Sequence, residues 1–332
     1  MEDFCRECPK IELHAHLNGS LSERTIQKLS HLEGAPHLYD EWQVAINHGQ
    51  HRTLAECFEM FKAVHALTVT PEAVRLATSD VITDFEKDGV IYLELRSTPR
   101  EVKGRMNKEQ YVDAIIDAIL SHQGSIVVRL LLSVDRRQGP AEAEHTLKIA
   151  LDARKKHPEL VVGLDLSGDP TAGALDLFLP TLSKARDQGL GVVVHCGEVP
   201  NNPEVMEMLR FAPDRLGHVT CLHPELGGCQ QQWDALLASK IPVEVCLTSN
   251  LRCKTVPTYE KHHLRHLLSA GHPVALATDD KGVFCSDLSA EFLVAAKTFD
   301  LSQHDLRNLS LAAVNFCLAP PELKEKLRLH FD

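Results

Sequence analysis

Val192-Val-Val-His-Cys-Gly-Glu-Val-Pro200 decides how the rest of the chain reads. Three β-branched residues following Gly189 and Gly191 predict a short buried strand with a sharp start. His195 falls where that strand should end, and Glu198 follows three residues on, past Gly197. Asn202-Pro203-Glu204 then reads as a helix cap, a first-turn proline and an acidic first turn. A strand that ends in a possible metal ligand, with a carboxylate just beyond it, is how α/β enzymes present chemistry. Taken alone, His195 reads more simply as a hydrogen-bonded loop residue, so its meaning depends on the segments around it.

Working outward, the same design recurs. Val90–Arg96 predicts a strand that runs into Ser97-Thr-Pro-Arg100, Ile126–Val134 runs into Asp135-Arg136, and Val161–Leu166 runs into Ser167-Gly-Asp169. Arg215–Val219 carries His218, Pro242–Leu247 ends in Thr248-Ser-Asn250, and Pro273–Thr278 ends in Asp279-Asp280. Helical patterns separate them, near 108–122, 141–156, 172–188, 288–299 and 303–317. At the start of the chain, Ile11-Glu-Leu-His-Ala-His-Leu17 alternates with period two, so His14 and His16 project from one face. That makes eight mostly apolar strands interleaved with helices, the pattern of a parallel sheet buried on both faces. The expected fold is therefore α/β, a (β/α)8 TIM barrel, formed by residues 1–332 as one domain.

Residues 20–88 are too long for an ordinary strand-to-helix connection. Leu54, Cys57, Phe58, Phe61, Val64 and His65 recur at helical steps, and a second helix is expected from about Pro71 to Lys87. This stretch reads as a helical insertion after the first strand, lying over one end of the barrel. His65, near the end of one of its helices, reads on its own as a core histidine.

Composition limits the function. The chain has 332 residues and a formal net charge of −11, from 35 Lys+Arg against 46 Asp+Glu. A net negative surface argues against a nucleic-acid polymer as partner, and an anionic substrate would need a local cationic pocket. No apolar run is long enough to cross a bilayer, and the first ten residues lack a secretory signal, so no membrane partner and a cytosolic location are expected. The ten cysteines sit mostly inside apolar segments, as buried reduced thiols do. Cys5 and Cys8 form a lone C-x-x-C without the second pair a structural zinc site needs.

If the barrel forms, His14, His16, His195 and Asp279 converge at its C-terminal mouth, the face where such barrels carry active sites. Three imidazoles and one carboxylate suit Zn²⁺ with a water or hydroxide completing the site. Glu198 is expected as general acid/base, His218 as the group that holds the hydroxide, and Asp280 as a bond to water or substrate. The two aspartates read equally as helix caps. No lysine lies on the 161–166 strand to bridge a second metal, which points to one ion per chain. The H-x-E…P-C-x-x-C signature of the cytidine and tRNA deaminases is absent.

Leu13-His-Ala-His-Leu-Asn-Gly-Ser20, His195-Cys-Gly-Glu198, Gly217-His218 and Thr278-Asp-Asp280 resemble the motifs of the adenosine deaminase family, in order and across nearly the whole chain. The resemblance implies a metal-dependent hydrolase barrel in which His14, His16, His195 and Asp279 bind zinc. It also implies that Glu198 protonates the purine nitrogen beside the attacked carbon, with His218 and Asp280 assisting and the Gly168 amide contacting the base. Attack at C6 would release an amine and leave a 6-oxopurine.

Within that family the chain is most similar to the branch acting on N6-methyl-AMP. Asn18 stands where adenosine deaminases carry an aspartate near the ribose 5′ end. A carboxylate there would repel a 5′-phosphate by roughly 1–4 kcal/mol at about 4 Å. Ser97, Thr98, Pro99 and Arg100 bring hydroxyls and a guanidinium, and arginine suits phosphate, although Arg100 also reads as a surface residue. With His16, His65 and Asp135 they resemble a monophosphate-binding set. The expected substrate is a purine nucleoside 5′-monophosphate, N6-methyl-AMP yielding IMP and methylamine, handled by a monomer. Two alternatives are an adenosine deaminase and a zinc-holding barrel that only binds nucleotides.

Overall fold

The computed structural model describes residues 1–47 and 54–331. Its strands are β1 (Lys10–His16), β2 (Val90–Ser97), β3 (Val127–Asp135), β4 (Val161–Ser167), β5 (Gly191–Cys196), β6 (Arg215–His218), β7 (Val243–Val245) and β8 (Val274–Leu276). They pair in chain order, and every pair is parallel. Closure comes from an isolated parallel bridge between Ala15 and Asp279. Asp279 N–H donates to the His14 carbonyl and His16 N–H to the Asp279 carbonyl, both at 2.8 Å. The expected eight-stranded (β/α)8 barrel is thus present, and the last stitch of its wall runs through three candidate site residues.

The strands are apolar on their outward positions because helices cover them, and Val192, Val194 and Leu216 are buried in that layer. Inward positions differ from the branched apolar filling usual in such barrels. Glu12, Glu94, Arg96, Asp165, Arg215 and Glu244 are fully buried there. Arg96 pairs with Asp165 at 3.1 Å and Glu244 at 3.0 Å, and Arg215 reaches Glu244 at 2.6 Å and also binds Glu94. Buried charges carry a large desolvation cost, which this mutual pairing offsets.

Between β1 and β2 stand helices Glu23–Leu32, Pro36–Asn47, Leu54–Leu67 and Pro71–Lys87. They occupy the expected helical insertion; the side chains of Leu54, Cys57 and Phe58 lie outside the described residues. Among the described residues no helix is long and apolar enough to cross a membrane.

Several local expectations shift. β7 and β8 are each three residues long, shorter than expected, because the chain turns into helix Leu247–Arg252 directly after Cys246 and leaves β8 before Asp279. The cap before helix Asn202–Phe211 is Asn201, whose side chain accepts from Glu204 N–H, one residue earlier than expected. A further helix, Pro321–Arg328, follows the one expected to close the chain.

Candidate functional site

The C-terminal ends of the strands open into a cavity of ≈ 570 Å³. His16, Asn18, His65, Ser97, Thr98, Arg100, Asp135, Gly168, His195, Glu198, His218, Asp279 and Asp280 all line it. Two expected residues do not: His14 is fully buried, and Pro99 is not among the lining residues.

Around one point the chain gathers five possible ligands. One donor atom from each of His14, His195, His218 and Asp279 lies within 4.8 Å of the others. His16 Nε2 joins them, 3.2 Å from His195 Nε2 and 3.4 Å from Asp279 Oδ1. The strand registry brings this about. Cys196 is opposite His218 across the β5–β6 pair, and Asp279 is laced onto β1 between His14 and His16. His218 and Asp279 both hold left-handed backbone angles, φ 65° and 63°, which non-glycine residues adopt at a cost of order 1–3 kcal/mol and mostly at functional sites.

The interior charges orient these rings. His14 Nδ1 contacts Glu244 at 2.7 Å, and His195 Nδ1 faces the Leu166 carbonyl at 3.1 Å and Asp165 at 3.2 Å. Those acceptors place the proton on Nδ1 and leave each Nε2 lone pair directed at the cluster, the usual outer support of a metal-bound histidine. Among the described residues, buried His14 Nε2 has no hydrogen-bond partner. A buried acceptor left in that state fits a cation, so the set could hold a metal ion. Ser249, to which the sequence assigns no role, donates to Asp279 Oδ2 at 2.6 Å and leaves Oδ1 toward His14 and His16.

Burial sets the protonation states. It pushes the His16 ring down to about 3 and holds His218 well below the usual imidazole range, so both are neutral near pH 7. Burial also lowers His195, but the Asp165 carboxylate outweighs it and raises the ring to about 9. A cation competes with that proton for the Nε2 lone pair. Glu198 is pushed up to about 7, chiefly by burial, with Asp279 adding to the rise and His195 opposing it. A carboxyl balanced at neutral pH can give and take a proton, which an ordinary surface glutamate cannot. His218 Nε2 stands 3.9 Å from Glu198 Oε2 and 4.0 Å from Asp279 Oδ2.

A second group of lining residues is cationic. Arg100 donates to Thr68 Oγ1 at 3.1 Å and to the His65 carbonyl at 2.9 Å, two neutral acceptors, and among the described residues no carboxylate pairs with it. His65 is pushed down to about 3 by burial and then by the charges of Arg100 and Arg137. Arg137 is paired with Asp135 at 2.6 Å, so that aspartate faces the cavity as half of an ion pair. Asn18 Nδ2 donates to Tyr111 Oη at 3.2 Å, and Tyr111 in turn contacts Ser97 Oγ at 2.7 Å. Tyr111 lies on helix Lys108–Ser121, and nothing local in the sequence marks it as a support for Asn18.

Two glycines permit the close approaches. A Cβ on Gly19 would lie 1.6 Å from Asp280 Oδ1, so glycine there allows Asp280 into the site. Gly168 has φ +91° and a Cβ on it would lie 2.3 Å from Asp135 Oδ1, so its peptide is presented to the cavity without a side chain.

Residues 9–332 match the adenosine deaminase family. The N6-methyl-AMP deaminase of Danio rerio is 46% identical over 330 residues, covering 98% of this chain and 94% of that one. That of Homo sapiens is 44% identical over 331 residues, covering 98% and 93%. Among solved structures, an Arabidopsis relative complexed with IMP superposes with a TM-score of 0.91 at 38% identity, covering 100% of this chain and 98% of that one.

Proposed function

The chain belongs to the adenosine deaminase family, and from that membership we propose that it is a zinc-dependent aminohydrolase converting N6-methyl-AMP and water to IMP and methylamine. The observation that carries this reading is one cavity lined both by a His/Asp cluster beside a carboxyl balanced near pH 7 and by Arg100, whose acceptors among the described residues are neutral. The first group suits hydrolysis at a purine carbon, and the second suits a 5′-monophosphate. The relatives' names and the IMP held by the Arabidopsis relative are in keeping with both.

In this reading His14, His16, His195 and Asp279 hold one zinc ion, which when bound brings the pKa of water toward neutrality and so supplies the nucleophile. Glu198 donates a proton to the purine ring nitrogen next to C6, which draws electrons from that carbon. It then takes up the proton that the added oxygen gives up, and methylamine leaves C6 as the nitrogen is protonated. His218 bonds the oxygen that adds to C6, Asp280 bonds water or substrate, and the Gly168 amide holds the base. Asn18, His65, Ser97, Thr98, Arg100 and Asp135 bind the ribose phosphate, with Pro99 shaping the loop that carries Arg100. The described helices within residues 20–88 cover the site within one deaminase unit, with Phe61, Lys62 and His65 reaching the cavity lining. Every group named comes from one chain, so the protein is taken to act as a monomer, and its nine described cysteines, none in a disulfide, suit the cytosol.

The deciding experiment incubates zinc-loaded protein with N6-methyl-AMP and, separately, with adenosine, following IMP, inosine and the released amine. IMP with methylamine, at a kcat/KM above that for adenosine, is expected. A preference for adenosine would overturn the substrate assignment, and tight nucleotide binding without turnover would reduce the chain to a binder.

A further inference from the structure

Five side chains crowd one point, and distance alone does not separate the ligands from the groups that act on the substrate. Hydrogen-bond direction does separate them. We propose that Asn250 and His262 are positioning residues that fix the proton of His218 on Nε2, making that ring a hydrogen-bond donor to the reacting oxygen and excluding it from metal ligation. The donor role rests on the deaminase reading above; the position of the proton does not.

A backbone amide N–H can only donate, and one anchors the relay. Leu264 N–H donates to His262 Nδ1 at 3.1 Å, so that nitrogen is an acceptor and the neutral ring carries its proton on Nε2. His262 Nε2 is 3.1 Å from Asn250 Oδ1, and with the proton there it donates to that oxygen. Which end of an asparagine amide is oxygen follows from its partners. Here a donor on one side assigns Oδ1 to His262 and turns Nδ2 toward His218. Asn250 Nδ2 then donates to His218 Nδ1 at 3.1 Å. An accepting Nδ1 leaves the His218 proton on Nε2, the atom that faces Glu198 and Asp279.

The relay is built to keep this order. Asn250 and His262 are buried at 2% and 0% exposure, so solvent does not scramble the directions. The Asn250 backbone is held as well: its carbonyl accepts from the amides of Thr255 at 3.0 Å and Val256 at 3.2 Å and from Thr255 Oγ1 at 3.0 Å. The contrast with the other rings is direct. His14 and His195 turn Nδ1 to carboxylate or carbonyl acceptors and present a lone pair at Nε2, whereas His218 turns Nδ1 to a donor and presents N–H. An imidazole nitrogen that carries a proton cannot ligate a cation, so His16 takes the place that distance alone would allow His218.

Asn250→Asp keeps the shape of the side chain and reverses the direction, because a carboxylate only accepts. The test reads histidine tautomers directly, by long-range ¹H–¹⁵N correlation on the zinc-loaded protein, with His218 assigned by the resonance lost in His218→Gln. The wild-type ring is expected protonated on Nε2, and in Asn250→Asp on Nδ1. With N6-methyl-AMP as substrate, kcat for that variant is expected to fall roughly 10²–10³-fold, the usual effect of losing an oxyanion donor, with KM and zinc content little changed. His262→Gln retains a donor to Asn250 Oδ1 and should preserve the tautomer. His262→Leu removes that donor, lets the amide turn over, and should bring up an Nδ1-protonated population even if Asn250→Asp does not fold. Nδ1 protonation of His218 in the wild type overturns the proposal, as does an unchanged tautomer in both Asn250→Asp and His262→Leu. Absence of N6-methyl-AMP turnover by the wild type would instead count against the substrate assignment, and the tautomer result would still decide the relay.

Discussion

The strand-end cluster and the cationic group share one cavity but are made differently. His14, His16, His195 and His218 sit on strands or at their last residues, and His14 and His195 are held from behind by Glu244 and Asp165 inside the barrel. Arg100 follows a strand on a loop, His65 ends a helix of the segment between β1 and β2, and Asn18 is braced by a tyrosine on another helix. The first region combines a buried ionic frame with strained backbone, which fixes atoms at the spacing that chemistry requires. The second is assembled from loops and helices, which vary without disturbing the wall. In the proposed function the first region carries the reaction and the second the phosphate of the substrate, so a substitution in either should damage one without the other.

Glu198→Gln should give the largest effect, a kcat loss of roughly 10²–10⁴-fold with nucleotide binding and metal content retained, seen by steady-state kinetics beside equilibrium binding. If turnover persists, the acid lies elsewhere and the strand-end region loses its claim to the chemistry. Arg100→Ala addresses the other region. Losing hydrogen bonds to a charged group costs about 1.5–3 kcal/mol, so kcat/KM for N6-methyl-AMP should drop roughly 10- to 150-fold relative to that for N6-methyladenosine. An equal loss on both would mean that Arg100 only ties Thr68 and His65 in place.

Asp165→Asn tests whether the interior frame serves the cluster. Removing the negative charge behind His195, while an amide oxygen and the Leu166 carbonyl still accept there, should weaken zinc by roughly 10–100-fold in chelator competition, while a nucleotide analogue binds as before. The smallest effect is the pH slope. Glu198 is pushed up to about 7, so its protonated form dominates below that pH and is lost as pH rises through it. If the protonated form is the acid, kcat/KM should fall about tenfold per unit above pH 7. A flat profile from pH 7 to 9 would assign the proton transfer to another group.

Parts of both regions are legible without coordinates. His14 and His16 stand two apart on an alternating strand, Glu198 stands three past His195, and polar residues follow every strand, so local spacing already offers candidate ligands and a candidate acid. Asn18, Ser97 and Arg100 are readable as an anion-binding set because they too follow strand ends. The residues that hold these in place are not. Glu244 is 230 positions from His14 and Asp165 is 30 from His195, and inside apolar strands each looks like an isolated charge with no partner. The period-two placement of Glu12 with His14, and of Glu94 with Arg96, hints that the interior is ionic. Tyr111, Ser249, Asn250 and His262 lie on helices, or beside a short turn, whose docking cannot be inferred from their own neighbours.

By itself, then, the sequence determined the barrel, its eight strands and the kinds of atoms at its mouth, because periodicity and turn chemistry are local properties of the chain. Tertiary structure alone decided which nitrogen of each imidazole faces the cavity, how far burial lifts Glu198, and which charges answer Arg96 and Arg215. Those outcomes depend on partners brought in from distant strands and on the removal of water, and both exist only once the sheet has closed on itself.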